Sequence, residues 1–362
     1  MERKVNFNPG PATLPLPALE KARDALVDYE GLGLGLLEMS HRSKPYEEIH
    51  FGAMDLLREL MGIPSDYEIL FLGGGASTQF FHVPMNFLGE GKVASYLNTG
   101  TWSKKAIKEA KKFGKVVIAA SSEEDRFTRL PSADEIEIDP ASVYVHMTSN
   151  NTIVGTQWKT FPDTGTIPLI CDMSSDILSR KVDVPQFGMI YAGAQKNLGP
   201  AGLTVVIIRK DLVEACPDAS PTMVDYRTHV GKSSLFNTPP VFAIFVMKEV
   251  LQWVKDKGGL EAVEKENDAK TDLVYGLMDK RPDFFRGTVV DKESRSNMNV
   301  TMRLPTEALE ATFLEKADKE GFVGLKGHRS VGGIRVSMYN ALSLDGIRKL
   351  AAFMEDFASA NA

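Results

Sequence analysis

The sequence predicts an α/β protein. A mainly parallel, mixed sheet covered by helices on both faces is followed by a smaller α+β unit. Two observations carry this. Between about residue 50 and residue 255, short apolar runs alternate with helix-like segments, the pattern of strands buried on both faces. After Gly258-Gly259 the pattern changes: Met298 to Leu304 and Ile334 to Tyr339 alternate as half-exposed strands do. The expected division is a large unit over residues 16–257 and a small one over residues 1–15 with 258–362.

The elements follow in order. Asn8-Pro9-Gly10-Pro11-Ala12 is rich in turn formers and starts no helix. Pro17 to Tyr29 reads as an amphipathic helix. Gly31-Leu32-Gly33-Leu34-Gly35 after it is flexible or closely approached. Glu68 to Leu72 is a strand running into Gly73-Gly74-Gly75, and Gln79 to Leu88 a helix. Lys92 to Leu97 is a strand and Thr101 to Phe113 a Lys-rich helix. Val116 to Ala120, Val143 to Met147, Pro168 to Cys171, Met189 to Ala192 and Leu203 to Ile208 read as buried strands. Pro239-Pro240 opens an apolar helix over Val241 to Lys257, and a more charged helix covers Leu260 to Lys280. Ser343 to Ala358 is a capped terminal helix. The charged faces of Lys104 to Lys115 and Glu261 to Lys270 are expected to contact solvent.

Composition excludes several classes. The chain has 362 residues, enough for about two units at ~150 residues each. Its net charge of −6 argues against a general nucleic-acid binder but leaves room for a local basic pocket. The apolar runs are shorter than the ~20 residues of a membrane span, and the first residues lack a signal-peptide core. Cys171 and Cys216 are the only cysteines, so no disulfide framework is expected and a reducing cytoplasm fits. Six dispersed histidines, without HExxH or CxxC, point to no metal site.

In open α/β sheets the ligand lies beyond the carboxyl ends of the strands, so the residues just after each strand matter most. Lys196 follows such a strand, among small residues and just before Gly199-Pro200. A lysine there is either a solvated surface group or a desolvated amine able to attack a carbonyl and form an imine. Asp172 ends the preceding strand. It is either a helix N-cap or a buried carboxylate that keeps a pyridine nitrogen protonated. Gly73-Gly74-Gly75-Ala76-Ser77-Thr78 is either a tight strand–helix turn or a phosphate cradle at a helix N-terminus. It matches neither a Walker A loop nor GxGxxG.

Asn6-Phe7-Asn8-Pro9-Gly10-Pro11-Ala12, Met39-Ser40-His41-Arg42-Ser43-Lys44, Asn98-Thr99-Gly100-Thr101-Trp102-Ser103, Asp172-Met173-Ser174-Ser175, Gly193-Ala194-Gln195-Lys196-Asn197, Asn237-Thr238-Pro239-Pro240 and Gly327-His328-Arg329-Ser330-Val331-Gly332-Gly333-Ile334-Arg335 carry a resemblance. With these segments the chain resembles, nearly end to end, the phosphoserine aminotransferase family. That family consists of transferases dependent on pyridoxal 5'-phosphate (PLP), of fold type I, the aspartate aminotransferase-like fold. The lysine segment marks the PLP superfamily; the two His-Arg segments single out the family.

The resemblance implies roles. Lys196 would hold PLP covalently and shuttle the substrate proton, while Asp172 would pair with the pyridinium nitrogen. Trp102 would stack on the ring and Thr152 would bond its phenolic oxygen. Ala76, Ser77 and Gln195 would hold the cofactor phosphate, with Asn237 and Thr238 reaching it from the second subunit of a homodimer. Arg335 would grip the substrate α-carboxylate as a bidentate fork. His41, Arg42, His328 and Arg329 would take the phosphate of one substrate and the γ-carboxylate of the other. Some members have Arg where this chain has Ala76-Ser77, which shifts anion binding onto Arg42, His328 and Arg329. The implied reaction moves the amino group of glutamate to 3-phosphohydroxypyruvate, in serine biosynthesis. A side role on 3-hydroxy-2-oxo-4-phosphonooxybutanoate, toward pyridoxine, is implied too.

Two rivals stand beside it. The first is another fold type I enzyme with the same lysine and aspartate, such as an alanine–glyoxylate type transaminase or a cysteine desulfurase, and a desulfurase needs a mobile cysteine. Cys171 lies inside an apparent strand and Cys216 beside Pro217. A nucleotide-binding α/β module needs a phosphate-loop fingerprint that the chain lacks.

Overall fold

Seven strands form the central sheet: β1 (Tyr67–Gly73), β2 (Val93–Asn98), β3 (Lys115–Ser121), β4 (Ser142–Thr148), β5 (Leu169–Asp172), β6 (Met189–Gly193) and β7 (Leu203–Arg209). The structure, a computed structural model, describes residues 3–217 and 220–361. Across the sheet the order is β1-β7-β6-β5-β4-β2-β3. β1 to β6 share one direction; β7 alone opposes its neighbours, setting Val206 opposite Leu70 and Tyr191. The reversal has a local cause. Only residues 194–202 join β6 to β7, too few for the helical crossover a parallel partner requires.

Side chains alternate between two cores, as the pleat dictates. Phe71, Val145, Cys171, Ile190 and Ile207 face one core, with helices Leu16–Ala25, Lys44–Met61 and Val241–Asp256. Leu70, Tyr144, Ile170, Tyr191 and Val206 face the other, with helices Ala76–Phe87 and Thr101–Ala110. A separate core joins Phe7, Val274, Phe313, Val336 and Leu350. It lies among strands Arg286–Gly287, Asn299–Arg303 and Ile334–Ser337 and helices Gly259–Lys280, Glu307–Lys319 and Leu344–Asn361. Near the N-terminus, Val5–Asn6 pairs in parallel with Phe322–Val323.

Most expected elements recur with shifted ends, and several features differ. Lys115–Ser121, expected as a buried strand, is the sheet edge and leaves Ile118 exposed, while Asn299–Arg303 and Ile334–Ser337, expected half-exposed, are buried among the helices and strands of the separate core. Helix Lys44–Met61 was not anticipated: charged residues interrupt its buried stripe of Tyr46, Ile49, Ala53, Leu56 and Leu57, and His50 sits buried within it. Helix Glu307–Lys319 buries only Glu310, Phe313 and Ala317, too weak a stripe to read, although Thr306 caps it by accepting from the Leu309 N–H. Lys270 was expected to face solvent and is instead fully buried. Among the described residues no helix is long and apolar enough to cross a membrane.

Candidate active site

Because β1 to β6 point the same way, their carboxyl ends deliver Gly73, Asn98, Thr148, Asp172 and Gly193 to one edge. A cavity of about 350 Å³ opens there, lined by residues that include Gly74, Ala76, Ser77, Trp102, Thr148, Asp172, Ser175, Gln195 and Lys196. Such a volume lies at the small end of ligand sites, which span roughly 300–1,000 Å³.

Lys196 is buried at the floor. Its Nζ donates to Thr152 Oγ1 and Ser175 Oγ, both at 2.7 Å, and those hydroxyls lie 2.7 Å from each other. Burial pushes its pKa down to about 8, against the pull of Asp172 and Asp176; nearby Arg335 lowers it further. This is the desolvated amine, not the surface lysine. Asp172 accepts from the Ser174 N–H at 3.0 Å and the Ser174 hydroxyl at 2.6 Å. Burial raises its carboxyl above the ordinary value, while Ser174 and Lys196 act in the opposite direction. A cationic ring nitrogen beside it would offset that burial cost.

Gly75, at φ 77°, opens helix Ala76–Phe87 without a side-chain cap. The first-turn N–H groups of Ala76 and Ser77 therefore have no intrahelical acceptor and face an anion site. Gln195 packs under the same corner: a Cβ on Gly193 would meet its Oε1 at 2.6 Å. Trp102 begins helix Thr101–Ala110 on the other wall, with Lys196 Nζ 5.9 Å from its ring centroid. Two cavity-lining groups are buried with no partner, Trp102 Nε1 and Thr148 Oγ1.

Arg335 is buried beside this floor, with Nη1 donating to Thr152 O at 3.3 Å and Nε unpartnered. Burial lowers its pKa. His328, whose Nδ1 lies 2.7 Å from Ser330 Oγ, is held below its ordinary value by burial and then by Arg335, Arg329 and Lys105. So His328, Arg329 and Arg335 share one positive field. Lys105, expected among solvated lysines, belongs there too, with its Nζ 4.4 Å from the Trp102 ring centroid. Its place three residues after Trp102 on one helix was the available signal.

Of the expected site residues, Thr152, His328, Arg329 and Arg335 do not line this chain's cavity, nor do His41, Arg42, Asn237 and Thr238; Arg42, Asn237 and Thr238 are exposed. The reading missed Gly10, Pro11, Thr148 and Asn150, which do line it. Thr148 and Asn150 flank the end of β4, where strand ends direct attention; Gly10 and Pro11 arrive from far off in sequence. The remaining histidines His50, His82, His146 and His229 are buried core groups. His146 Nε2, for example, is 2.9 Å from the Tyr191 hydroxyl.

A mixed sheet with a buried lysine and an aspartate at its carboxyl edge is the setting of a PLP-dependent enzyme, and the aminotransferase class-V family model matches residues 4–350. Phosphoserine aminotransferase of Halalkalibacterium halodurans is 54% identical over 357 residues, covering 99% of both chains. The solved phosphoserine aminotransferase from Bacillus circulans subsp. alkalophilus superposes with a TM-score of 0.98 at 52% identity, covering 100% of both chains. A PLP-bound phosphoserine aminotransferase from Trichomonas vaginalis gives 0.93 at 38% identity, over 98% of this chain and 100% of that one. The chain belongs to the phosphoserine aminotransferase family.

Proposed function

We propose that this chain transfers the amino group of L-glutamate to 3-phosphohydroxypyruvate, giving O-phospho-L-serine and 2-oxoglutarate, with PLP as cofactor. The observation that carries the reading is the buried Lys196 amine sharing one cavity with Asp172 and an uncapped helix N-terminus. PLP fits that donor set. Its phosphate suits Ala76, Ser77 and Gln195, its ring suits the Trp102 face and its nitrogen suits Asp172. Its aldehyde suits the Lys196 amine, which holds it covalently. Bound PLP supplies an electron sink for charge developing at the substrate Cα.

The protein does the rest. Asp172 holds the proton of the ring nitrogen. Thr152 donates to the cofactor's phenolic oxygen. Lys196 would take the proton from the substrate Cα, and the Thr152 and Ser175 hydroxyls keep its amine aimed. Arg335 grips the α-carboxylate common to both substrates. His328 and Arg329 meet the second anion, phosphate in one substrate and γ-carboxylate in the other. Residues 16–257 form the cofactor-binding unit, and residues 1–15 with 258–362 form the unit that carries Arg335.

The site is completed by a second copy. His41 and Arg42 precede helix Lys44–Met61, and Asn237 and Thr238 precede helix Val241–Asp256. These helices run side by side in parallel. A Cβ on Gly52 would meet the Lys248 side chain, and Glu59 pairs with Lys255 at 2.6 Å, at the same offset. Both residue pairs therefore sit at the same end of the helix pair, and none of them lines this chain's cavity. The chain just before them exposes Leu32, Leu34, Leu37 and Phe236, apolar area suited to a subunit contact. In a homodimer they reach the partner's phosphate and substrate pockets.

The direct test is an amine-transfer assay with glutamate as donor. 3-Phosphohydroxypyruvate is expected to react at least about a hundredfold better in kcat/KM than hydroxypyruvate, since a buried anion site is left empty by the latter. Equal rates for the two would refute the assignment.

A further inference from the structure

Lys270 is a fully buried amine, and among the described residues no carboxylate is bonded to it. Its Nζ donates to Met338 O, Tyr339 O and Leu342 O at 3.2, 3.0 and 3.2 Å. Those three bonds use all three protons of an ammonium group. Burial pushes the Lys270 amine down to about 7, with Glu266 acting in the opposite direction, and such desolvation of an amine held by backbone carbonyls calls for a reason.

The loop it holds, residues 338–342, leads to the active site by two routes. The Asn340 N–H donates to Asn197 Oδ1 at 3.0 Å, and Asn197 is the neighbour of Lys196. The Asn197 amide in turn donates to Ile177 O at 3.0 Å and Ser175 O at 3.3 Å, binding the segment that follows Asp172. The second route is Tyr339. Its hydroxyl donates to Pro9 O at 2.9 Å, beside cavity residues Gly10 and Pro11. The phenol also feels the Thr152 and Ser175 hydroxyls that hold the Lys196 amine. Asn267, one turn before Lys270, closes the frame. Its amide donates to Asn340 Oδ1 and Ser179 O, both at 3.0 Å, while the Asn340 amide donates to Leu178 O at 2.9 Å. The same loop follows strand Ile334–Ser337, which carries Arg335.

We propose that Lys270, with Asn267, Asn340 and Asn197, is a positioning network that fixes the Lys196 amine relative to Arg335. Resting on the assignment of Lys196 and Arg335 above, it explains why a buried amine holds the carbonyls of a loop that touches no substrate. Arg335 fixes one end of the substrate and Lys196 must meet its Cα proton. Displacement by about 1 Å costs up to about a hundredfold in rate. A staple serving stability alone has no reason to join the lysine loop, the aspartate segment and the arginine strand at one asparagine.

The test uses the PLP-loaded enzyme. Lys270→Met keeps the length and removes every donor; Asn197→Ala cuts the link at the other end. Each is expected to lower kcat about tenfold for both half-reactions while KM moves less than about threefold, because groups that bind substrate stay in place. The double variant is expected to be no worse than about twofold below either single one, since both break one path. Lys270→Gln, with two donors, should recover part of kcat. Should Lys270→Met not fold, Asn267→Ala is the milder cut and must show the same kcat-selective loss. Unchanged kcat in folded variants, or single effects that multiply in the double, overturns the proposal. Failure of every variant to fold also overturns it, because the network is then structural. Borohydride reduction and peptide mapping of the unsubstituted enzyme separate the two assignments. Label absent from Lys196 sinks the site reading and this inference together. Label on Lys196 with normal kcat in the variants sinks this inference alone.

Discussion

The floor of the cavity and its cationic rim are built on opposite terms. Lys196, Asp172, Thr152 and Ser175 are each no more than 7% exposed, and all come from one chain. Arg42 and Arg329 are exposed, and none of His41, Arg42, His328 and Arg329 lines the cavity. Burial lets the floor shift proton affinities, which chemistry needs. Exposure keeps the arginines of the rim hydrated, which serves capture of substrates differing in their second anion. The two halves should therefore fail differently.

The largest effect is expected at the floor. Lys196→Ala should lower turnover at least about a thousandfold and abolish covalent retention of the cofactor, since no second buried amine lines the cavity. Borohydride trapping and turnover on one preparation check it; residual trapping elsewhere would relocate the floor. Next comes the boundary between the halves. Arg335→Ala removes a buried charge-assisted fork of ~1.5–3 kcal/mol and should raise KM for glutamate and the phosphorylated substrate alike, about tenfold or more. Arg329→Ala acts in water, where screening discounts it, and should raise KM several-fold for the phosphorylated substrate more than for glutamate. If Arg329→Ala proved the costlier and unselective, the division between floor and rim would be wrong.

The same division governs what the sequence disclosed. Asp172 and Lys196 were legible because strand ends in a parallel sheet mark the ligand edge, and short apolar runs locate strand ends. Helix Lys44–Met61 was not legible, because its stripe mixes tyrosine, histidine and charged residues and its burial comes from helix Val241–Asp256. Lys270 was illegible for a deeper reason. Nothing local distinguishes it from neighbouring surface lysines; only the carbonyls of residues 338–342, some 70 positions away, make it a buried ligand of the backbone. Gly10 and Pro11 at the cavity share that non-local origin. Grouping His41 and Arg42 with His328 and Arg329 came from chemical type. One chain alone does not gather them around the cavity.

The smallest expected effect sharpens the account of the floor. In the cofactor-free chain, burial brings Lys196 down to about 8 against the pull of Asp172 and Asp176, whereas an unperturbed lysine sits at 10.5. The neutral amine is the nucleophile. Its capture of a small aldehyde, trapped by borohydride, should rise about fivefold from pH 7 to 8, less than about twofold from pH 8 to 9, and then level off. A solvated lysine keeps gaining about tenfold per unit well past that range. The sign of the stability effect follows. Between about pH 8 and 10.5 the unfolded chain holds a proton on Lys196 that the folded chain has released, so this residue makes folding more favourable as pH rises through that window. Lys196→Met should remove that increment, read as a smaller gain in denaturant midpoint over the same pH range. A labelling rate still climbing steeply above pH 9 would mean that water reaches the amine, and the floor would then be as wet as the rim.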